Sequence, residues 1–336
     1  LRIAPDARAG GMGDMGVATN PDANSLFTNI GKVVFNEKKS GVAINYIPFL
    51  RELNLNDVYI MSASGYYKLD DNQAITAGLR YYSHGTAQFT DDVGNNLTTF
   101  KPSDFAFEAG YSRRLSKKSG IGVSLRYINS KLTDGSGDYK SGNTVSADIG
   151  FFTDNKNAAG QGWNYGIAVS NLGGKIGYTN SSQQKDYIPA NLGMGIAYTA
   201  VFKDANKLSF GLELNRLLVP TPPDETNAAA VADYRTQSVV SSWFKSLGDA
   251  PGGFSEELKE LQIGLGGEYT YDNHFVLRTG YFYENKTKGN RNYFTVGAGF
   301  IYKSSHLDFS YLVPNKSGSQ ALSNTIRLAL IFDLKQ

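Results

Sequence analysis

From residue 41 onward, apolar and polar side chains alternate in runs of about nine to twelve residues, the period of a strand with two unlike faces. Ile121, Val123, Leu125 and Tyr127 alternate with Gly122, Ser124 and Arg126. Leu208, Phe210, Leu212 and Leu214 alternate with Ser209, Gly211 and Glu213, and Ile326, Leu328, Leu330 and Phe332 with Thr325, Arg327 and Ala329. The pattern predicts about fourteen strands, near residues 41–48, 57–68, 73–83, 103–114, 119–130, 142–153, 163–172, 188–200, 207–216, 260–270, 274–285, 292–303, 305–313 and 322–333. An even number of strands of that length is what a transmembrane β-barrel requires.

A soluble β-sandwich also alternates, but its strands average about five or six residues. Here one face of nearly every segment is apolar and aromatic, while the other carries glycine and charge. A sandwich offers that second face only bulk solvent. Aromatics gather at segment ends, at Tyr66 and Tyr67, Tyr81 and Tyr82, Tyr198, Tyr269 and Tyr271, Tyr281 and Tyr283, and Tyr302, as two interfacial girdles would place them. The fold class expected is all-β: a 14-stranded antiparallel transmembrane β-barrel.

The connections alternate between short (69–72, 115–119, 201–206, 271–273, 303–305) and long (84–102, 131–141, 172–187, 217–259, 314–321). Outer-membrane barrels have short periplasmic turns and longer outside loops, so an even strand count predicts both termini on the periplasmic side of a bacterial outer membrane. The connection 153–162 is longer than its place in the alternation predicts. Residues 9–31, rich in glycine and small side chains, show no alternation. The expected division is a plug at residues 1–35 inside a barrel of residues 36–336.

On the face assigned to the lumen, Arg80 and Glu108 sit on consecutive strands, as do Arg126 and Asp148, and Asp308 and Arg327. Glu213, Glu268 and Arg278 occupy three strands in a row. Buried charges are tolerated when partnered, so this reads as a structural network before it reads as an ion path. Gly78, Gly110, Gly122, Gly150, Gly193, Gly195 and Gly211 on the same face permit another backbone to approach. A filled lumen fits them better than an open channel.

Composition narrows the function. The 336 residues carry a net charge of +2, which supplies no long-range attraction to nucleic acid. With no cysteine there is no disulfide or thiolate metal site. Leu1-Arg2-Ile3-Ala4-Pro5 shows no secretory leader, leaving a matured chain and a cytoplasmic start both open. Gly11-Met12-Gly13-Asp14-Met15-Gly16 matches the dinucleotide fingerprint but lacks the strand before it and the βαβ unit after it. Neither a cofactor nor a metal is expected. Asp91-Asp92-Val93-Gly94-Asn95-Asn96 offers calcium-capable oxygens without EF-hand spacing and reads as a turn. His84, His274 and His306 lie in no nucleophile-elbow context. A lipid-modifying barrel enzyme would need a Ser or Asp within hydrogen-bond reach of one of them.

The loop 217–259 opens on Val219-Pro220-Thr221-Pro222-Pro223 and then reads as a helix over 227–247, with Asn227 as N-cap and Val239, Val240, Trp243, Phe244 and Leu247 on one face. That face either packs on the barrel rim or docks another protein. The docking reading takes Val219, Pro220, Trp243 and Phe244 as contacts, together with the apolar tip Ile47, Pro48, Phe49 and Leu50.

Ala9-Gly10-Gly11-Met12-Gly13, the run Asn20-Pro21-Asp22-Ala23-Asn24-Ser25-Leu26-Phe27-Thr28-Asn29, and Ile188-Pro189-Ala190-Asn191-Leu192-Gly193 resemble the FadL-like outer-membrane barrels. Tyr46-Ile47-Pro48-Phe49-Leu50, Ser64-Gly65-Tyr66-Tyr67-Lys68, Leu79-Arg80-Tyr81-Tyr82-Ser83 and the Pro/Ala-rich loop are similar, within that superfamily, to the PorV family of type IX secretion. The resemblance implies a non-enzymatic barrel with a lumenal N-terminal hatch. It would bind the C-terminal signal domains of cargo, sit against the translocon barrel and outer-membrane lipid, and pass cargo to the surface attachment complex. FadL-like uptake of fatty acids or other hydrophobic compounds is the alternative, and requires a continuous apolar pocket in the lumen.

Overall fold

The alternation becomes fourteen strands whose pairing closes on itself. The computed structural model describes residues 3–335 apart from 51–54, 56, 91–92, 134, 136–137, 181–184, 203–204, 225 and 315–323. The first seven strands are β1 (Ser40–Pro48), β2 (Val58–Asp70), β3 (Gln73–His84), β4 (Ser103–Arg114), β5 (Ser119–Lys131), β6 (Gly142–Lys156) and β7 (Gly162–Gly173). The other seven are β8 (Asn191–Phe202), β9 (Asn206–Leu217), β10 (Gln262–Tyr271), β11 (Phe275–Tyr283), β12 (Asn292–Tyr302), β13 (Ser305–Pro314) and β14 (Ile326–Lys335). Each pairs antiparallel with its neighbours in sequence, and β1 pairs with β14.

Apolar side chains face outward. On β3, Ile75, Leu79 and Tyr81 are exposed while Ala74, Thr76 and Arg80 are buried; β5 repeats this with Val123, Leu125 and Tyr127 against Ser124 and Arg126. An outer wall of this kind is stable against hydrocarbon, and closure leaves no strand edge with unpaired N–H and C=O groups. Tyr59–Tyr81, Trp163–Tyr198 and Phe275–Phe300 are ring pairs on it. The doublets Tyr66-Tyr67 and Tyr81-Tyr82 split across the wall, because successive residues of a strand point to opposite faces. Tyr66 is buried on the inner face and Tyr82 packs against Phe49 and His84, so neither belongs to a girdle.

The rim where β1 begins and β14 ends has the connections 71–72, 115–118, 157–161, 203–205, 272–274 and 303–304; the opposite rim has 49–57, 85–102, 132–141, 174–190, 218–261, 284–291 and 315–325. The alternation places the two ends of the chain on one side, but Ile3 packs with Ile47, Phe49 and Val58 at the long-loop mouth, because the N-terminal segment runs the length of the lumen before entering β1. The irregular connection disappears: β6 continues to Lys156, leaving a tight turn in which Asn157 Oδ1 accepts from the amides of Ala159 and Gln161. Strand β8 begins at Asn191 and not at 188, since Pro189 has no N–H to pair and the Ala190 amide turns back to Ile188 O. The last strand runs over Ile326–Lys335, later than 322–333.

The segment before β1 forms a short helix α1 (Ala7–Gly11), with Asp6 accepting from the Ala9 amide, and two 3-10 turns, Ser25–Phe27 and Ile30–Phe35. A five-residue helix does not hold alone; the barrel's inner face holds this one. Leu26, Ile30, Val33, Val34 and Phe35 pack with Ala43, Tyr66, Ala74, Phe152 and Ile331. Each large apolar side chain buried this way contributes about 1.5–3 kcal/mol. A Cβ on Gly280 of β11 would overlap Gly13 N and the Met12 carbonyl carbon, and Gly13 itself has φ +68°. Glycine on both sides is what lets the two backbones touch.

Candidate functional site

Two rows of charge cross the inner wall. Glu108 and Arg126 face one another in the β4–β5 register, with Nε–Oε2 at 2.8 Å. Arg80 lies 3.2 Å from the same carboxylate, and Arg126 Nη2 is 2.5 Å from Asp148. Asn171, held at φ +59° beside a register shift between β6 and β7, accepts from Arg126 and donates its amide to Asp148. In the second row, Glu268 and Arg278 are paired across β10 and β11 at 2.7 Å, and Arg278 also reaches Asp308.

The expected pair Asp308–Arg327 does not form. Asp308 is opposite Ala329, and Arg327 turns instead to Asp14 of the N-terminal segment, which also accepts from the Tyr293 hydroxyl. Glu213 does not join Glu268 and Arg278 either. It is opposite Gly264, and its Oε2 accepts from the consecutive amides of Gly16 and Val17, each at 2.7 Å.

Most of the lumenal groups overlooked in the sequence lie in the N-terminal segment; Asn171 of β7 is an exception. Arg8 bonds Glu268 and Asp22; Lys32 donates to Gly16 O at 2.6 Å and to Thr19; Asn29 donates to Val17 O and Phe151 O. Phe27 and Phe35 lie under the guanidinium groups of Arg80 and Arg114. The signal for them was present: Arg8, Asp14, Asp22 and Lys32 are charges in a run rich in glycine and small residues, and such charges need partners inside a lumen.

At the long-loop rim the apolar tip is not a tip. Ile47, Pro48 and Phe49 are buried, Leu50 is half-buried, and they cluster with Val58, Ile60 and Ile3. Ile47 and Phe49 have the inward parity of β1, so they pack into the barrel mouth and are not themselves presented to a partner. The helix expected over 227–247 is two, α2 (Ala228–Thr236) and α3 (Val239–Lys245), with Gln237 and Ser238 extended between them; α4 (Phe254–Glu257) follows. Pro220 is buried, Val219 and Trp243 are half-buried, and only Phe244 of the expected loop contacts is exposed.

The loops are tied together. Lys175 Nζ donates to Arg235 O at 2.8 Å and to Gln237 O at 3.0 Å, capping the carbonyls that end α2. Tyr187 lies beneath that ammonium, packs edge-on against Tyr234, and donates its hydroxyl to Tyr234 O. Lys288 is 2.7 Å from Glu256 and 2.9 Å from Glu260.

His84 does have an Asp within reach: its Nε2 is 3.0 Å from Asp104, whose other oxygen accepts from Ser130 at 2.5 Å. The carboxylate stands between hydroxyl and imidazole, so the imidazole is in no position to take the Ser130 proton, and the order needed for a nucleophilic serine is not met. His274 and His306 face Asp272 and Asp333 at 3.7 and 3.4 Å. Gly11 ends α1 and Gly13 turns against strand backbone, with no phosphate-facing helix N-terminus after them. Asp91 and Asp92 lie outside the described residues, and among the described residues no cluster of three or more His, Asp or Glu could hold a metal. A cavity of about 160 Å³ lies under the loop 174–190, lined by Ala106, Ile128, Ile176, Ile188 and Pro189 over a floor of Arg80 and Arg126.

The profile of the family described as "Type IX secretion system protein PorV" matches residues 1–224. The chain belongs to the PorV family. It is therefore an outer-membrane component of type IX secretion. The matched span runs from the N-terminal segment through β9 into the long loop, and structural likeness carries the comparison to the end of the chain. The toluene transporter TbuX of Ralstonia pickettii is 12% identical, covering 99% of this chain and 98% of that one, with a TM-score of 0.58. The P. putida toluene transporter TodX is 11% identical over 100% of both chains, TM-score 0.58. The CymD monoaromatic hydrocarbon channel is 12% identical over 99% of this chain and 98% of its own, TM-score 0.58. At these identities the likeness is one of fold, and the chain shares their FadL-like barrel. No curated protein gives a significant sequence match.

Proposed function

We propose that this barrel handles cargo on its outside and not through its lumen. The short-turn rim, with the C-terminal end of β14, is periplasmic and the long connections are extracellular. The N-terminal segment is a standing plug, and the loops receive the C-terminal signal domain of a secreted protein. The barrel docks on the translocon, and the cargo passes to the surface attachment complex without any covalent step by this chain. The observation that carries the reading is the anchoring of the N-terminal segment by charge to three separate strands of the wall: Arg8 to Glu268 of β10, Asp14 to Arg327 of β14, and the Gly16–Val17 turn to Glu213 of β9. A lumen so filled leaves the loops as the accessible surface.

The test is deletion of residues 221–253 with capture of partners from outer membranes. The barrel is expected to remain folded, by heat-modifiable migration, and to lose cargo or translocon. Unchanged capture would remove the loop from the mechanism.

The second reading, uptake of hydrophobic compounds as in the transporters of like fold, has the 160 Å³ cavity in its favour. Arginine at its floor and the plug beneath it argue against passage. Toluene or fatty acid entering vesicles through the purified barrel would favour uptake.

A further inference from the structure

Glu213 and Asn215 of β9 point inward, to the Gly16–Val17 turn and to Asn191. Arg216 has the outward parity of Leu212 and Leu214, at the upper end of the apolar wall. Its guanidinium donates to Ser246 O just past α3 at 2.6 Å, bonds Glu257 of α4, and lies 3.3 Å from Glu260. Glu257 in turn accepts from the Ala250 amide at 2.8 Å. The two helices are thus fastened to the outer side of β9, beside the wall and not over the lumen.

Their polarity is the reverse of that of a helix on a water-soluble surface. Ser242, Ser246 and Glu257 are buried toward the barrel. Val240, Phe244 and Leu247, spaced as one helical face, are 56%, 72% and 47% exposed, and Phe254 and Leu258 are 77% and 52% exposed. Lys245 and Lys259 flank this face and are exposed; Trp243 is half-buried at its edge. Exposed apolar area framed by lysine and tryptophan is the composition of a helix lying in the headgroup region.

We propose that the α3–α4 face is immersed in the lipid leaflet on the long-loop side, as an interfacial anchor continuous with the barrel's apolar wall. Lipid is the occupant because the face is fastened to the outward side of a membrane strand: Leu212 and Leu214 lead directly to Arg216, and Arg216 to the helices. The lysine ammonium groups reach the phosphates while Phe244 and Phe254 enter the acyl boundary. This assigns Phe244 to lipid and leaves α2 and the other loops for protein contact.

The chain has no cysteine, so single-cysteine variants report one position each. Phe244→Cys, Phe254→Cys and, on exposed α2, Ala229→Cys are labelled with a polarity-sensitive fluorophore. The full chain is then reconstituted in phosphatidylcholine vesicles with no other protein. Labels at 244 and 254 are expected to lose more than about half their emission to phosphatidylcholine bearing a nitroxide near the headgroup end of its acyl chain, and to resist aqueous iodide. The label at 229 is expected to do the opposite. Arg216→Gln added to Phe244→Cys unfastens the helices and is expected to shift that label toward iodide, with heat-modifiable migration confirming a folded barrel. Labels at 244 and 254 that respond to iodide as at 229, with no nitroxide quenching, would overturn the proposal and return the face to a protein partner. Because no cargo is present, failure here does not bear on cargo capture.

Discussion

Arg8 and Glu268 form a two-pronged ion pair inside the barrel, Nη2 to Oε1 at 2.8 Å and Nε to Oε2 at 2.9 Å, joining residues 260 positions apart in the chain. Glu268 also holds Arg278. Glu268→Ala therefore leaves two buried guanidinium groups facing one another, each with one remaining carboxylate, Asp22 or Asp308. Leaving a buried charge without its partner costs about 3–5 kcal/mol. Amides of residues 9–31 are expected to lose about a hundredfold or more in hydrogen-exchange protection. Arg8→Met, which leaves Glu268 paired with Arg278, should do less. Equal protection in Glu268→Ala and the parent chain would refute the anchoring role.

Gly280→Ala places a methyl group where Met12 and Gly13 lie, and backbone has no rotamer by which to retreat. Overpacking of this kind costs about 1–3 kcal/mol. The N-terminal segment is expected to become protease-sensitive in a barrel that still migrates as folded. Gly267→Ala is the control, since a Cβ there meets the Phe210 ring at 3.4 Å and Ser209 O at 3.8 Å, both ordinary contacts.

Lys175→Met removes the cap from the last carbonyls of α2 and the ammonium from the Tyr187 ring. A charge-assisted bond of this type contributes about 1.5–3 kcal/mol, and α2 should fray, read as faster exchange over Ala228–Thr236. Tyr187→Phe, which loses one hydroxyl but keeps its ring contact with Tyr234, is expected to have the smaller effect.

The α4 contact should weaken in acid. The Lys288 hydrogen bond holds the Glu256 carboxyl below its ordinary value of 4.5, and the Glu256 and Glu260 contacts hold the Lys288 ammonium above its ordinary 10.5. A carboxylate whose value is lowered by its contact stabilises that contact above the unperturbed value and loses it as pH falls through the lowered one. The lysine contribution persists to high pH and fades only as pH rises through its raised value. Protection factors at α4, which divide out the intrinsic pH dependence of amide exchange, are therefore expected to stay level from about pH 5 to 9 and to fall only as pH drops below the ordinary carboxyl value of 4.5. Glu256→Gln should abolish that acid dependence; its persistence would place the titrating group elsewhere.

Much of the barrel was legible because a strand crossing between lipid and lumen has to alternate, and each residue's parity follows from its neighbours. Leu125 and Arg126 could be placed on opposite faces without any knowledge of what either touches. The connections were legible for a related reason: the short turns on one rim carry little but polar and turn-forming residues. The tip at Ile47–Leu50 was misread because apolar residues at a strand end look alike whether they enter the mouth or leave it. The helix over 227–247 was misread because Gln237 and Ser238 interrupt it without proline or glycine.

The sequence by itself determined the strand count, the two faces of the wall, and the presence of charges and glycines on its inner side, since these depend on local period and composition. Tertiary structure alone decided the partners. Asp14 finds Arg327, Glu213 finds two backbone amides, and Arg8 finds Glu268 because a segment without period folds back through the lumen. Such contacts between distant parts of the chain depend on register, closure and path. The same holds for α3, whose apolar stripe was visible in the chain, while its fastening to the outer side of β9 through Arg216 was not.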